Sequence, residues 1–291
     1  MKIKIATQNI DSWQAERKDG VTNADWLRWA DQALGADLMI LPEARVRPPR
    51  AFIDADWNVA YRPGGFQGTS GWCTLIAARG VLIKRITHVG PNNEYELDTH
   101  FPGSLVAADS WIGDKYFATI IGLHIRYRKE NKDNDDITSD PRQDLQTMLP
   151  DFRAILDDRK APLIIAGDLN VPMYDIPYGL QTLAEGDLRL VDPFAQLNPL
   201  TFQQREGERS RYKMDYLYMS KALARKVTVR KGGINDFPGA LALSDHAPLL
   251  VEIDTELEST VCSCGTTLRR PAGNYASKTR CPRCGSIITY A

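Results

Sequence analysis

Six short runs place carboxylates, amides or imidazole at the ends of apolar stretches. They are Gln8-Asn9-Ile10-Asp11, Leu41-Pro42-Glu43, Gly122-Leu123-His124, Ala166-Gly167-Asp168-Leu169-Asn170, Met214-Asp215-Tyr216 and Leu243-Ser244-Asp245-His246. A polar group at the mouth of a strand sits on rigid backbone and faces a crevice. These residue types suit hydrolysis of a phosphodiester. That reaction needs a hard cation held by oxygen ligands, an attacking water held in line, and help for the negative charge that develops. A histidine oriented by a neighbouring carboxylate can donate or accept the proton. Taken singly, an Asp after a strand is more often a turn residue or helix cap, and an isolated histidine more often structural. Six such runs in one stretch of chain together point to a site.

A second chemistry lies at the C-terminal end. Of five cysteines, Cys73 stands apart, while Cys262-Ser263-Cys264-Gly265 and Cys281-Pro282-Arg283-Cys284-Gly285 are paired across sixteen residues. Two turn-like cysteine pairs, each closed by glycine, resemble the knuckles of a zinc ribbon, and four thiolates satisfy tetrahedral zinc. The first knuckle is Cys-x-Cys where Cys-x-x-Cys is usual, and reversible disulfides are the rival reading. So short a segment needs its metal to fold. The polar stretch 255–260 marks a boundary, giving a domain at 1–255 and a tail at 256–291.

The elements that must position these groups are strands, mostly. Runs rich in Ile, Val, Leu, Tyr and Trp, bounded by Gly, Pro or Asp, predict strands at 2–8, 37–42, 57–62, 72–79, 104–111, 115–124, 162–167, 214–219 and 248–253. One helix starts near Asn23 as its cap, with Leu27, Ala30 and Leu34 on one face. Another starts at Asp140-Pro141, with Leu145, Met148, Leu149, Phe152, Ile155 and Leu156 as its apolar stripe. Strands outnumber helices and several follow one another directly. The expected class is therefore α/β: a four-layer α/β sandwich of two packed, mainly antiparallel sheets flanked by helices, plus a small C-terminal zinc ribbon.

In this order the runs resemble the endonuclease/exonuclease/phosphatase superfamily, the fold of pancreatic-type deoxyribonuclease and bacterial exonuclease III. The resemblance covers residues 2–254 or so and is most specific at Gly167-Asp168-Leu169-Asn170 and Ser244-Asp245-His246. Met214-Asp215-Tyr216-Leu217 followed by Ser220, with Thr201-Phe202 upstream, matches the penultimate motif. Lys213 stands where arginine is common, and Glu43 follows Leu-Pro where Leu-Gln is usual. The resemblance implies Glu43 as principal ligand of Mg²⁺ or Mn²⁺, assisted by Asn9, Asp11 and Asp245. It implies that Asp168 and Asn170 position or deprotonate the water and hold a phosphate oxygen. His246, oriented by Asp215, would contact the scissile phosphate, and His124 lies where the family uses His or Tyr near the leaving side. The group that takes the water's proton, and whether one or two cations act, stay open.

Around these groups the sequence offers substrate contacts. Continuing the strand periodicity beyond His124 places Arg126 and Arg128 to clamp flanking phosphates, unless residues 126–140 are simply a charged loop in water. Trp13, Trp72, Tyr127 and Tyr174 could stack on bases or pack in the core or rim, and Gly64-Gly65-Phe66-Gln67-Gly68 is a flexible loop. The tail carries five Lys or Arg (Arg269, Arg270, Lys278, Arg280, Arg283) and two Glu, a net +3, which leaves −4 for the rest of a chain whose total is −1. A basic tail on an acidic body suits a nucleic-acid handle; a protein partner or a fold cap are the other uses of such a ribbon. No secretory signal or membrane-length apolar run is seen, so a cytoplasmic protein is expected. The sequence favours a metal-dependent nuclease acting on DNA or RNA. The alternatives are a phosphatase or phosphodiesterase acting on nucleotides, inositol phosphates or phospholipid head groups, and a non-enzymatic module that kept the fold.

Overall fold

The architecture comes from a computed structural model, which describes residues 1–10, 23–45, 50–62, 72–90, 95–96, 103–125, 154–155, 157, 162–170, 190–203, 211–255, 257–265, 267–271, 278–281 and 283–289. In chain order the elements are β1 (Lys2–Thr7), α1 (Asn23–Ala33), β2 (Leu38–Arg45), α2 (Arg50–Asp54), β3 (Asn58–Tyr61), β4 (Trp72–Ala78), β5 (Leu82–Ile86), β6 (His88–Val89), β7 (Tyr95–Glu96), β8 (Leu105–Ile112), β9 (Lys115–His124), β10 (Leu163–Asp168), β11 (Leu190–Val191), β12 (Phe202–Gln203), β13 (Arg211–Tyr212), β14 (Asp215–Ser220), α3 (Lys221–Ala224), β15 (Val227–Gly232), β16 (Leu249–Asp254), β17 (Leu257–Val261), β18 (Thr267–Pro271), β19 (Lys278–Arg280) and β20 (Ile287–Thr289). A short 3-10 helix, Pro238–Ala242, precedes β16.

Two six-stranded sheets carry the fold, in the orders β15-β16-β1-β2-β4-β3 and β11-β14-β10-β9-β8-β5. Each holds one parallel pair at its centre, β1 with β2 and β9 with β10; the other neighbours run antiparallel. Parallel neighbours need a crossover, and α1 lies in the one between β1 and β2.

Three apolar clusters explain why the central strands read as continuous hydrophobic runs. Ile5, Ile40, Ile76, Ile120, Ile164, Leu217 and Val251 fill the space between the sheets. The alternate residues of the first sheet, including Met39, Leu41 and Leu75, pack on Trp26, Leu27, Ala30 and Leu34 of α1 and Phe52 of α2. Those of the second sheet, Ile121, Leu123, Ile165, Tyr216 and Tyr218, pack with Ile155. Strands covered on both faces lose the in–out alternation. Each fully buried Leu or Ile contributes about 1.5–3 kcal/mol.

The expected architecture of two packed, mainly antiparallel sheets is found, and the nine expected strands all form. The first helix begins at Asn23 itself. Of the second expected helix, Ala154, Ile155 and Asp157 are described and helical; Asp140 and the rest of the stripe lie outside the described residues. In the tail, β17 pairs with β18 and β19 with β20 as separate two-stranded sheets.

Candidate active site

One end of the sandwich collects the predicted groups because strand register puts them there. In the second sheet His124 lies opposite Asp168, and Asp168 opposite Asp215, so the ends of β9, β10 and β14 form a row. Parity then turns all three the same way as Ile120, Ile164 and Leu217, into the space between the sheets. Two glycines make this possible. A Cβ on Gly122 would come within 2.9 Å of Ile40 and Thr74 of the facing sheet. A Cβ on Gly167, at φ +143°, would meet the Leu123 carbonyl oxygen at 1.9 Å. Only glycine lets β10 lie this close to β9 before Asp168.

The first sheet supplies the other half. The β1–β2 pairing extends past β1 through the amides of Gln8 and Ile10, which donate to Ile40 and Pro42 oxygens. In β2 the register slips between Leu41 and Ala44. Pro42 and Glu43 occupy that bulge, a position where a strand tolerates proline and re-aims a side chain. Glu43 has φ +56° and Asn170 φ +50°. For glutamate that conformation costs on the order of 1–3 kcal/mol, retained where the carboxylate is placed.

The side chains interlock. Asn9 Nδ2 donates to Glu43 Oε1 at 3.1 Å and to Asp168 Oδ2 at 2.9 Å. Asp168 Oδ1 accepts the Asn170 amide at 2.8 Å, and its Oδ2 accepts Asn170 Nδ2 at 3.2 Å. His124 Nε2 lies 3.2 Å from Glu43 Oε1 and 3.8 Å from Asp168 Oδ2. His246 Nδ1 donates to Asp215 Oδ2 at 2.7 Å, leaving Nε2 at 3.8 Å from both Asp168 Oδ2 and Asp245 Oδ1. Asp215 Oδ1 also accepts the Asn9 amide at 3.3 Å.

Burial and charge compete here. Burial works to raise the Glu43 pKa, but hydrogen bonds from His124 and Asn9 and the charges of His124 and His246 hold it at about 2. For Asp168, burial, opposed by His246 and His124 and assisted by Asp215, raises the carboxyl to about 6. Burial pulls His246 down, yet Asp215, Asp168 and Asp245 together lift it well above the ordinary histidine value. A low carboxylate beside a raised one is the division of labour found where one group binds a cation and another handles a proton.

Solved structures with the same architecture were found. The 3′ phosphatase NExo from Neisseria, bound to product DNA hairpin, superposes with a TM-score of 0.60 at 15% identity, over 87% of this chain and 99% of that one. Truncated TDP2 of Caenorhabditis elegans gives 0.59 at 15%, over 87% and 98%. An AP endonuclease from Archaeoglobus fulgidus gives 0.58 at 16%, over 87% and 100%. The chain has the endonuclease/exonuclease/phosphatase fold. At these identities the likeness is one of fold, and it matches the fold that the sequence motifs resemble. No protein-family model matches the sequence, and no curated protein matches it.

Within this fold, Asn9, Glu43, His124, Asp168, Asn170, Asp215 and His246 form one connected cluster, which Asp245 joins through His246. Asp11, Arg126, Arg128, Trp13, Tyr127 and Tyr174 lie outside the described residues, as do residues 64–68. Glu43, His124 and Asp168 offer ligand atoms within 4.8 Å of one another, a spacing that fits one divalent cation.

Several residues that lie in or beside the motif runs, with no role of their own assigned there, hold the cluster. The Thr201 hydroxyl accepts the amides of Met214 and Asp215, each at 3.0 Å. Ser244 Oγ donates to the Asn9 carbonyl at 2.8 Å. Gln8 bridges inward, donating to the His246 carbonyl at 2.8 Å and accepting Trp26 Nε1 at 3.2 Å. The Phe202 ring lies 5.0 Å from that of His246. Behind the row, Lys213 pairs with Asp192 at 2.7 Å.

The tail cysteines also converge. β17–β18 and β19–β20 are hairpins, and each knuckle sits at a hairpin turn. Gly265 and Gly285 have positive φ and donate back to Cys262 and Cys281 oxygens. Cys262 and Cys284 sulfurs lie 3.4 Å apart, Cys264 and Cys281 3.7 Å, and all four fall within 4.8 Å of one another. Tetrahedral zinc with Zn–S near 2.3 Å needs sulfurs about 3.8 Å apart. The structure joins none of the five cysteines by a disulfide, and the four tail thiols fit zinc despite the short first knuckle.

Proposed function

We propose that the chain is a divalent-metal-dependent phosphoester hydrolase, a nuclease acting on DNA or RNA. The observation that carries this reading is the single buried cluster of three carboxylates, two amides and two imidazoles built from both sheets. Glu43, ionised at neutral pH, would anchor Mg²⁺ or Mn²⁺, assisted by Asn9, Asp11 and Asp245. The cation supplies positive charge for a phosphate oxygen and for the charge that develops on it. Asp168, held at both oxygens by Asn9 and Asn170, would orient the water and take its proton. His246, fixed by Asp215 through Nδ1, presents Nε2–H to the scissile phosphate. Arg126 and Arg128 would clamp neighbouring phosphates.

The tail, at 256–291, is read as a structural zinc ribbon attached to a catalytic domain at 1–255. The 87% coverage by the solved structures leaves room outside it for such a tail. Its net +3 against −4 for the body suits a handle for a polyanion; a protein partner is the other use. The runner-up, a phosphatase, draws on the NExo likeness. The experiment is a panel of labelled DNA, RNA, nucleotides and phospholipids with Mg²⁺, Mn²⁺ or chelator. Metal-dependent cleavage of a DNA or RNA chain supports the nuclease. Phosphate release from small substrates alone supports the runner-up, and binding without hydrolysis sinks both.

A further inference from the structure

We propose that His124 is itself a ligand of the catalytic cation, through Nε2, and that this nitrogen makes the site prefer Mn²⁺ to Mg²⁺. The inference rests on the metal-dependent reading above and goes beyond the all-oxygen set expected there.

Position argues first. His124 ends β9 directly opposite Asp168, and its amide donates to the Ser104 carbonyl at 2.7 Å. The backbone is therefore held on both sides of the strand, and the ring is buried. Its Nε2 faces Glu43 Oε1 at 3.2 Å, Asp168 Oδ2 at 3.8 Å and the Asn170 amide nitrogen at 3.5 Å.

Distance argues second. Adjacent ligands of a cation with bonds near 2.1 Å stand about 3.0 Å apart at right angles. The Glu43–His124 separation already matches that edge, and the Asp168 oxygen needs to move by less than an ångström. The nitrogen is turned between the two carboxylates, where a cation would sit.

Ligand chemistry argues third. Mg²⁺ takes oxygen ligands and sheds water reluctantly. Imidazole suits first-row transition ions, whose affinity for mixed nitrogen and oxygen sites exceeds that of the alkaline earths. One imidazole and two carboxylates also leave positions open for water and a phosphate oxygen, as a catalytic site requires.

The test uses full-length protein with zinc in the tail and Mn²⁺ as the probe. Pulsed electron paramagnetic resonance of bound Mn²⁺ should show nitrogen coupling, which changes to the ¹⁵N pattern in protein made with ¹⁵N-histidine. His124→Gln should lose that coupling and keep an oxygen ligand, and His246→Gln should retain it. Calorimetric titration should show the preference for Mn²⁺ over Mg²⁺ falling at least tenfold in His124→Gln. Wild-type protein that binds Mn²⁺ without nitrogen coupling overturns the inference, as does coupling that disappears with His246 instead. The wild-type spectrum decides even if a variant fails to fold. Hydrolysis measured on the same samples separates this failure from failure of the hydrolase reading, since an active enzyme with an all-oxygen Mn²⁺ site refutes only the role of His124.

Discussion

Replacing Asp215 by asparagine removes one charge and almost no volume, at a carboxylate that is fully buried and 2.7 Å from His246 Nδ1. The ring then loses the partner that lifts its pKa against burial, and asparagine can equally present its NH₂ to Nδ1 and reverse the tautomer. With that NH₂ donating to Nδ1, the neutral ring keeps its proton on Nε2 but is no longer held as imidazolium, so it faces the phosphate without positive charge and as a weaker acid. Loss of a positioned proton-transfer group costs about 10²- to 10⁴-fold in turnover. Stability should change too, with a definite sign. His246 has a native pKa above its unfolded value of about 6.5. Its contribution is therefore fully present below about pH 6.5 and is lost as pH rises through the higher native value. Asp215→Asn forfeits about 1.5–3 kcal/mol, the worth of a charge-assisted hydrogen bond, so its deficit should be largest near pH 6 and shrink in alkali. Thermal melting of metal-free protein from pH 5.5 to 9.5, with turnover at saturating metal, measures both effects. A deficit that grows with pH, or turnover within tenfold of wild type, refutes the reasoning.

Three further outcomes follow from other parts of the chain. Elemental analysis of purified protein should find one tightly held zinc per chain, lost when Cys281 and Cys284 are changed to serine; zinc retained in that variant would place the metal elsewhere. Gly167→Ala should lower stability by about 3 kcal/mol or more, from left-handed strain and the clash with Leu123, a fall of about 6–12 °C in Tm; an unchanged melting curve would contradict the packing described. Changing Arg269, Arg270, Lys278, Arg280 and Arg283 to glutamine should raise KM for long nucleic acid and flatten its salt dependence while leaving kcat and short substrates alone; equal KM at every salt concentration would remove the tail from substrate binding.

What the sequence disclosed followed burial. Strands covered on both faces, such as β2 and β10, show long apolar runs and were legible to within a few residues. The edge strands β5 and β15 were not, because Lys84, Arg85, Arg230 and Lys231 on their exposed positions break the run and look like loop. The site behaved similarly. Asp168, Asp215 and His246 stand out because charge at the end of an apolar strand is costly without purpose. Thr201, Ser244 and Gln8 fall within the motif runs, yet their part in holding backbone amides and carbonyls was not legible, since such contacts leave no mark in composition. The inward aim of Glu43 depends on a bulge, and pairing register is not written in β2 alone. His124 was visible as a site residue, but its approach to Glu43 needed the two sheets face to face.

The most direct test of the central claim is the turnover of Glu43→Gln beside wild type, across a Mg²⁺ and Mn²⁺ series and in chelator. Glutamine keeps the size and the left-handed backbone of a residue held ionised at about pKa 2, and it removes the charge. Wild-type hydrolysis should vanish in chelator and return with metal; the variant should stay folded, with a lower Tm from weakened contacts to His124 and Asn9, and turn over at least about a hundredfold more slowly at saturating metal. Full activity in chelator, or a wild-type rate in the variant, would contradict it.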